Sequence, residues 1–359
     1  MILNPKITFL IPCYNAEEYL TKALNCVINQ TYKNLEVLTI DDGSSDKTLA
    51  ILKQFAEKDK RVKVIQNETN LGLIRTLNKG INLATGEYIA RFDADDLIDT
   101  NRIELQISRL NQNANIDLLT SKAIYITHQD YYHSKVDHFY CTLPKAIKFV
   151  ALFECPLLHA GLIVKTDVLK QYKYNFTNEA KHIEDYDLFS RLLIDNLNIA
   201  VDASKALFYQ YRRNINSVSN HNRNTQSENT LQLSKKNLHT ILQIEIESLL
   251  HEIIYLKITK TYTVKQINKA IDALKNTAQK YFQQEAKTIT QAEKTEINNW
   301  ISLRIFKIIL TSFIKGNLLV KLNCMVMVVA NVNILFSKFV GDYATNRVFW
   351  LKSKLLYKV

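Results

Sequence analysis

An α/β protein with a largely parallel sheet flanked by helices, followed by a helical C-terminal region, is what this sequence predicts. Three observations lead there: strand-like and helix-like segments alternate through the first 120 residues, the strand candidates read as buried, and nearly everything after Arg223 has helical spacing. In order, Ile7–Pro12, Leu35–Ile40, Val62–Gln66 and Glu87–Phe92 are the buried strands. Asn15 followed by Glu18 predicts a capped helix running to about Asn29, and Gly43-Ser44-Ser45-Asp46 opens the next. Strands separated by helices need crossovers, so the sheet is expected to be mostly parallel and covered on both faces. Between about 121 and 220 the pattern turns irregular and rich in Tyr and His, with short strand candidates at Leu158–Val164 and Ala206–Tyr211. Irregular sequence beside a regular sheet is where ligand contacts are commonly built. Beyond it, apolar residues recur at Leu231, Leu238, Ile241, Leu242, Leu249 and Ile253. The expected division is one α/β domain over 1–222, with halves 1–110 and 111–222, and a basic, mainly helical region over 223–359.

Composition sets the class. A chain of 359 residues with 47% hydrophobic side chains can bury a full core. Its five cysteines form no Cys-x-x-Cys pair and are odd in number, against a disulfide framework or zinc site. The first residues enter a strand without a basic head or long apolar stretch, which predicts a cytoplasmic protein. The net charge of +11 is uneven: residues 1–231 carry 27 Lys/Arg and 27 Asp/Glu, and residues 232–359 carry 19 and 8, so the excess, 19 − 8 = 11, lies in the last third. Residues 301–359 set nine basic side chains against Asp342 alone, with Trp300, Phe306, Phe313, Phe336, Phe339, Phe349 and Trp350 interleaved. That suits an anionic membrane surface; a solvated helical face and nucleic-acid binding are the other readings, and no nucleic-acid partner is expected. Leu318–Phe336 is strongly apolar but holds Lys321, Asn323, Asn331 and Asn333, so a buried or surface-lying helix is expected rather than a span.

The chemistry concentrates in Glu87-Tyr88-Ile89-Ala90-Arg91-Phe92-Asp93-Ala94-Asp95-Asp96. This strand delivers three carboxylates to its C-terminal end, where α/β sheets keep their ligand sites. Alternation puts Asp93 and Asp95 on one face, as two hard oxygen donors for a divalent cation that would hold nucleotide phosphates. Asp41-Asp42-Gly43-Ser44-Ser45-Asp46 and Pro12-Cys13-Tyr14-Asn15 end two further strands, and together they outline a nucleoside-sized crevice. With seven glycines and no Gly-x-Gly-x-x-Gly or Walker-type loop, a dinucleotide oxidoreductase or P-loop enzyme is disfavoured. Phosphate charge must then be met by a metal or by basic side chains.

Residues 5 to about 110 resemble the nucleotide-sugar half of a family 2 glycosyltransferase, the inverting class with a GT-A fold. The matching pieces are Ile11-Pro12-Cys13-Tyr14-Asn15, Asp41 to Asp46, Asn70-Leu71-Gly72, Gly86-Glu87-Tyr88-Ile89 and Asp93-Ala94-Asp95-Asp96. The resemblance implies that Asp41 or Asp42, with the Pro12–Tyr14 loop, holds uridine, and that Asp95, helped by Asp93, binds Mn²⁺ or Mg²⁺ on the diphosphate. Arg102-Ile103-Glu104-Leu105-Gln106 is similar to the bacterial surface-polysaccharide branch. His182-Ile183-Glu184-Asp185-Tyr186-Asp187-Leu188 resembles the Glu-Asp motif, which gives Asp185 the role of base and Glu184 a supporting one. A base is needed because a sugar hydroxyl is a weak nucleophile until its proton leaves. His159, before a strand candidate, is either an acceptor-side group or an ordinary loop histidine. Asp96 joins the acceptor-side or supporting group. Tyr209 to Ser219 resembles a Tyr-Arg-x-His segment with Asn214 where His is common, which puts a third metal ligand in doubt and leaves Arg212 and Arg213 to neutralise diphosphate. Arg75 and Arg91 line the nucleotide site or serve the structure.

The expected activity is transfer of a hexose or N-acetylhexosamine from a UDP-sugar to a hydroxyl of a lipopolysaccharide, lipooligosaccharide or capsule glycan, by a metal-dependent hexosyltransferase at the cytoplasmic face of the inner membrane. The acceptor is a glycan or glycolipid. A sugar nucleotidyltransferase is the first alternative, though Pro12–Glu17 has neither Gly nor Lys/Arg for a triphosphate loop. A non-catalytic basic helical binding or scaffold protein on a degenerate transferase fold is the second.

Overall fold

The computed structural model describes residues 4–126, 132–135, 141–202, 209–212, 222–256, 262–315 and 320–321. The chain packs as two compact units, residues 1–138 with 157–221 and residues 139–156 with 222–359. A single cut at 222 therefore misses one feature: the segment 139–156 belongs with the C-terminal helices.

In the first unit β1 (Ile7–Cys13), α1 (Glu17–Ile28), β2 (Leu35–Asp41), α2 (Thr48–Lys58), β3 (Val62–Gln66), α3 (Leu73–Leu83) and β4 (Tyr88–Arg91) alternate. There follow β5 (Leu97–Ile98), α4 (Arg102–Gln112), β6 (Leu118–Ser121), β7 (Ala123–Ile126) and β8 (Tyr132–Lys135). After α5 (Pro144–Val150) of the second unit come β9 (Ile163–Lys165), α6 (Thr166–Tyr172), α7 (Glu184–Ile194), β10 (Ile199–Asp202) and β11 (Tyr209–Arg212). Seven strands form one sheet in the order β10-β6-β9-β4-β1-β2-β3, parallel except for β9, which runs against both neighbours. A second sheet runs β5-β11-β7-β8.

Crossover helices explain why the central strands are buried throughout. Every residue of β2 is buried, and α1 turns Leu20, Ala23, Leu24 and Val27 inward at helical spacing. The helix α3 lies so close to the sheet that a Cβ on Gly80 would meet Leu10 Cδ1 at 2.2 Å. Register aligns the strand ends: Cys13 pairs with Asp41, Asp41 with Gln66, and Leu10 with Arg91. The C-terminal ends of β1, β2, β3 and β4 thus share one edge.

The expected Asn15/Glu18 cap does not form. Residue Ala16 is the N-cap, with no side-chain bond of its own. Neighbouring amides are met from the next loop instead: Ala16 N–H donates to Thr48 Oγ1 at 2.8 Å and Glu17 N–H to Asp46 Oδ2 at 3.1 Å. Asn15, at φ 47°, accepts from Ser45 N–H at 2.9 Å, so the loops after β1 and β2 are stitched together. The strand candidate Leu158–Val164 shortens to β9, leaving His159 in irregular backbone.

In the second unit α5 packs with α8 (Arg223–Leu242), α9 (Ser248–Ile254), α10 (Val264–Gln284) and α11 (Gln291–Lys315). Carboxylates of α11 satisfy the amides at the start of α5: Thr142 and Leu143 donate to Glu296 at 2.8 and 3.0 Å, and Lys145 to Glu293 at 3.0 Å. Trp300 is 2% exposed, stacked on Phe153 with centroids 5.3 Å apart, and donates to Glu154 Oε1 at 2.9 Å. The same carboxylate pairs with Arg304, which lies over the indole ring. Trp300 is therefore a core residue and not a headgroup anchor, a correction to the basic-aromatic surface drawn from sequence. By length and composition α11 could cross a membrane, but half of its apolar window is buried within the protein. Of the proposed surface, residues 316–319 and 322–359 lie outside the described residues, as does nearly all of Leu318–Phe336.

Candidate active site

Two aspartates end β2, and the fold treats them oppositely. Asp42 is saturated: its Oδ1 accepts from Asn67 Nδ2 at 2.8 Å and Leu71 N–H at 2.9 Å, and its Oδ2 from Gly72 N–H at 2.9 Å. It shapes the 67–72 loop. Gly43 makes that loop's approach possible, since at φ +73° a Cβ there would stand 2.7 Å from the Thr69 carbonyl carbon. Asp41 is fully buried, and neither carboxylate oxygen has a hydrogen-bond partner among the described residues. An unsatisfied buried acceptor costs roughly 1–3 kcal/mol, more for a charged group, so it persists where a function uses it. Burial, then Asp41 and Asp93, push the neighbouring Cys13 thiol well up. Between these loops Pro12 is half-buried and Tyr14 is 51% exposed.

The strand β4 ends at Arg91, so the acidic run is a turn beyond it, closed by Asp96 N–H to Asp93 O at 3.3 Å. Strand alternation does not place Asp93 and Asp95. Arg91, the last residue of the strand, reaches into that turn: its buried guanidinium clamps both Asp93 oxygens, at 2.9 and 2.8 Å. Asp95 is half-buried. Burial, then Asp93, raise its pKa to about 6. Asp96 is buried, accepts from Arg212 N–H at 2.7 Å, and is pushed up by burial and then by Asp95 and Asp93.

Residues singled out in the sequence for other roles hold this turn. Tyr209 Oη accepts from Asp93 N–H at 3.1 Å. Arg102 donates to the Arg91 and Leu162 carbonyls at 3.3 and 3.2 Å, and Gln106 to Gly161 at 3.1 Å. The Arg102–Gln106 motif is thus a brace for the end of β4 and the segment before β9. Arg212 is a second brace: Nε donates to Asp95 O at 2.6 Å, and its guanidinium sits 4.3 Å from the Tyr19 ring centroid. Arg213 and Asn214 lie outside the described residues.

Across the turn, Asp185 and Glu184 occupy the first turn of α7, where Asp185 Oδ1 accepts from Tyr186 N–H at 2.7 Å. Burial, then Asp185, raise Glu184 to about 7, while Arg91 pulls it down. His159 is held well below the ordinary imidazole range by burial and then Arg91, so it is neutral. Its Nε2 lies 2.6 Å from Tyr174 Oη. Arg91 therefore sits electrostatically among Asp93, His159 and Glu184, which makes one neighbourhood of the acidic turn and the α7 terminus. Tyr174 is the group that sequence reasoning missed; fifteen residues from His159, it offers no spacing to find. Arg75 is exposed on α3, with its guanidinium 5.7 Å from the Phe176 ring.

Parallel strand ends, loops shaped for close approach and a buried Asp41 without a partner among the described residues lie together at one end of the sheet. The Glycosyl transferase family 2 model matches residues 8–163. An uncharacterized glycosyltransferase of Haemophilus influenzae is 31% identical over 65% of this chain and 73% of its own length. The chain belongs to glycosyl transferase family 2. A further relative, the Escherichia coli UDP-Glc:alpha-D-GlcNAc-diphosphoundecaprenol beta-1,3-glucosyltransferase WfgD, is 30% identical over 59% of this chain and 79% of its own. The S. aureus TarS 1–349 structure in complex with UDP matches in fold, with TM-score 0.53 at 20% identity over 86% of this chain and 89% of that one. The expected GT-A architecture thus stands.

Proposed function

We propose that this glycosyltransferase is inverting and moves a hexose or N-acetylhexosamine from a UDP-sugar to a hydroxyl of a lipopolysaccharide, lipooligosaccharide or capsule glycan. Asp41 carries the reading: a buried carboxylate whose two oxygens have no partner among the described residues, at a parallel strand end, suits the N–H and hydroxyl donors of uridine. The resemblance left Asp41 and Asp42 open; the saturation of Asp42 favours Asp41. The E. coli relative's name supports a UDP-sugar donor and a lipid-linked sugar acceptor.

A divalent cation fits the residues present. Among the described residues no cluster of three or more His, Cys, Asp or Glu could hold a metal alone. Mg²⁺ and Mn²⁺ are content with one or two carboxylates, completing their shell with waters and substrate phosphates. Asp95 would be the principal ligand, and Asp93 would share its oxygens with Arg91. When bound, the cation offsets charge on the departing UDP. Asp185 takes the proton of the acceptor hydroxyl as its oxygen bonds the anomeric carbon and the bond to UDP breaks on the opposite face, which inverts that centre. Burial and the adjacent Asp185 raise Glu184, which lessens the second charge beside Asp185.

Screening UDP-sugars for UDP release, with and without chelator, tests the proposal. One productive donor that chelator silences is expected; no release from any donor would overturn it. We also place the enzyme at the cytoplasmic face of the membrane, on the basic side chains of residues 301–359 other than the buried Arg304. Liposome flotation of the full chain should require anionic lipid.

A further inference from the structure

We infer that Phe176, backed by Arg75, is a binding platform for a pyranose ring of the acceptor. The inference rests on the transferase reading above and adds a residue to it. Phe176 is 68% exposed, the most exposed large apolar side chain described. Single exposed apolar residues are ordinary, but this one is mounted with care. Its segment opens at Lys173, φ +45°, and closes at His182, φ +65°, left-handed conformations that non-glycine residues rarely adopt.

Between those points the backbone is pinned on two sides. Asn78 of α3 exchanges two hydrogen bonds with Tyr174, at 2.8 and 2.9 Å. Asn175 donates to Asp187 of α7 at 2.8 Å, and Arg191 of α7 holds the Tyr172 and Lys173 carbonyls at 2.7 Å each. The next side chain, Phe176, projects outward and takes the Arg75 guanidinium on its ring. A rigid ring fixed in water offers an apolar face at little entropic cost. Sugars present such a face in the C–H bonds of one side of the ring, and the guanidinium adds hydrogen-bond donors for hydroxyl or phosphate oxygens.

Position favours the acceptor over the donor. Phe176 is two residues from Tyr174, which bonds His159 and whose ionisation is influenced by Glu184 and Asp185. Its mount is tied to α7, the element that carries the candidate base.

The test is saturation-transfer NMR on the full chain with methyl hexosides, methyl N-acetylhexosaminides and N-acetylglucosaminyl diphosphate on a short alkyl chain, beside calorimetric UDP binding with Mn²⁺. At least one pyranoside should bind the unaltered protein. Phe176→Ala should weaken that binding by about tenfold, Phe176→Tyr should retain it, and both should bind UDP within twofold of the original. No pyranoside binding at all, equal binding by Phe176→Ala, or UDP affinity falling in step would overturn the platform. Failure of the unaltered chain to bind UDP would overturn the donor reading instead. Phe176 is exposed, so unchanged thermal midpoints should accompany these substitutions.

Discussion

Glu36 and Asp41 are buried carboxylates five residues apart on β2, one at each edge of the same sheet. Glu36 accepts from Thr8 Oγ1 and Lys63 Nζ at 2.6 Å each and from Thr85 N–H at 2.9 Å. Burial alone would raise its pKa, but those bonds outweigh it and bring it down to about 2. Asp41 has none of this. One strand thus carries a finished end and an unfinished end, and the difference separates what the fold needs from what a ligand completes.

The largest effect that would sharpen this contrast is on turnover. Asp185→Asn should lower kcat by ~10²–10⁴, the usual worth of a general base, with UDP affinity by calorimetry nearly untouched. An equal loss of affinity would move Asp185 to the donor side. Asp95→Ala should remove the Mn²⁺-dependent part of UDP binding, as titration with and without the ion would show; unchanged binding would break the metal reading. Next comes the finished end: Glu36→Gln should cost about 1.5–3 kcal/mol in denaturant unfolding, as for hydrogen bonds to a charged group, and leave UDP affinity alone. Asp41→Asn should do the reverse, weakening UDP while leaving the unfolding free energy equal or higher, because a buried carboxylate without a partner among the described residues is removed. Destabilisation by Asp41→Asn would show that the unfinished end is structural after all.

The smallest effects are in pH. Glu36, lowered to about 2 from 4.5, contributes stability that is full above pH 4.5 and lost as pH falls toward 2. Glu184, raised to about 7 from 4.5, behaves oppositely: its contribution is full below 4.5 and lost as pH rises through 7. Unfolding midpoints across pH 3–8 should therefore fall on both flanks. Glu36→Gln should flatten the acid flank, and Glu184→Gln the neutral one.

Much of the sheet was legible because buried parallel strands are continuous apolar runs. Val62–Gln66 matched its strand to the residue, and the other three shifted by a residue at one or both ends. The strand-end location of the acidic groups followed from the same pattern. Side-chain geometry at those ends did not, since it depends on partners far away in sequence. Asp93 is set by Tyr209, Asp95 by Arg212 and Asp42 by the 67–72 loop. Period-two spacing failed for Asp93 and Asp95 because the strand ends at Arg91, before either of them. In the C-terminal third, composition could not separate a buried Trp300 from an exposed one, because helical spacing around it offers an apolar face in either case.

The course of residues 139–156 has a practical side for anyone recombining such enzymes. Glu293 and Glu296 of α11 serve amides that arrive from the middle of the chain, and Trp300 fills against Phe149 and Phe153. Chimeras spliced only at residue 222 would leave that inserted helix with a stranger's tail. Exchanges that keep the interior intact have three seams, near 138, 157 and 222, and carry the two pieces together as a single cassette.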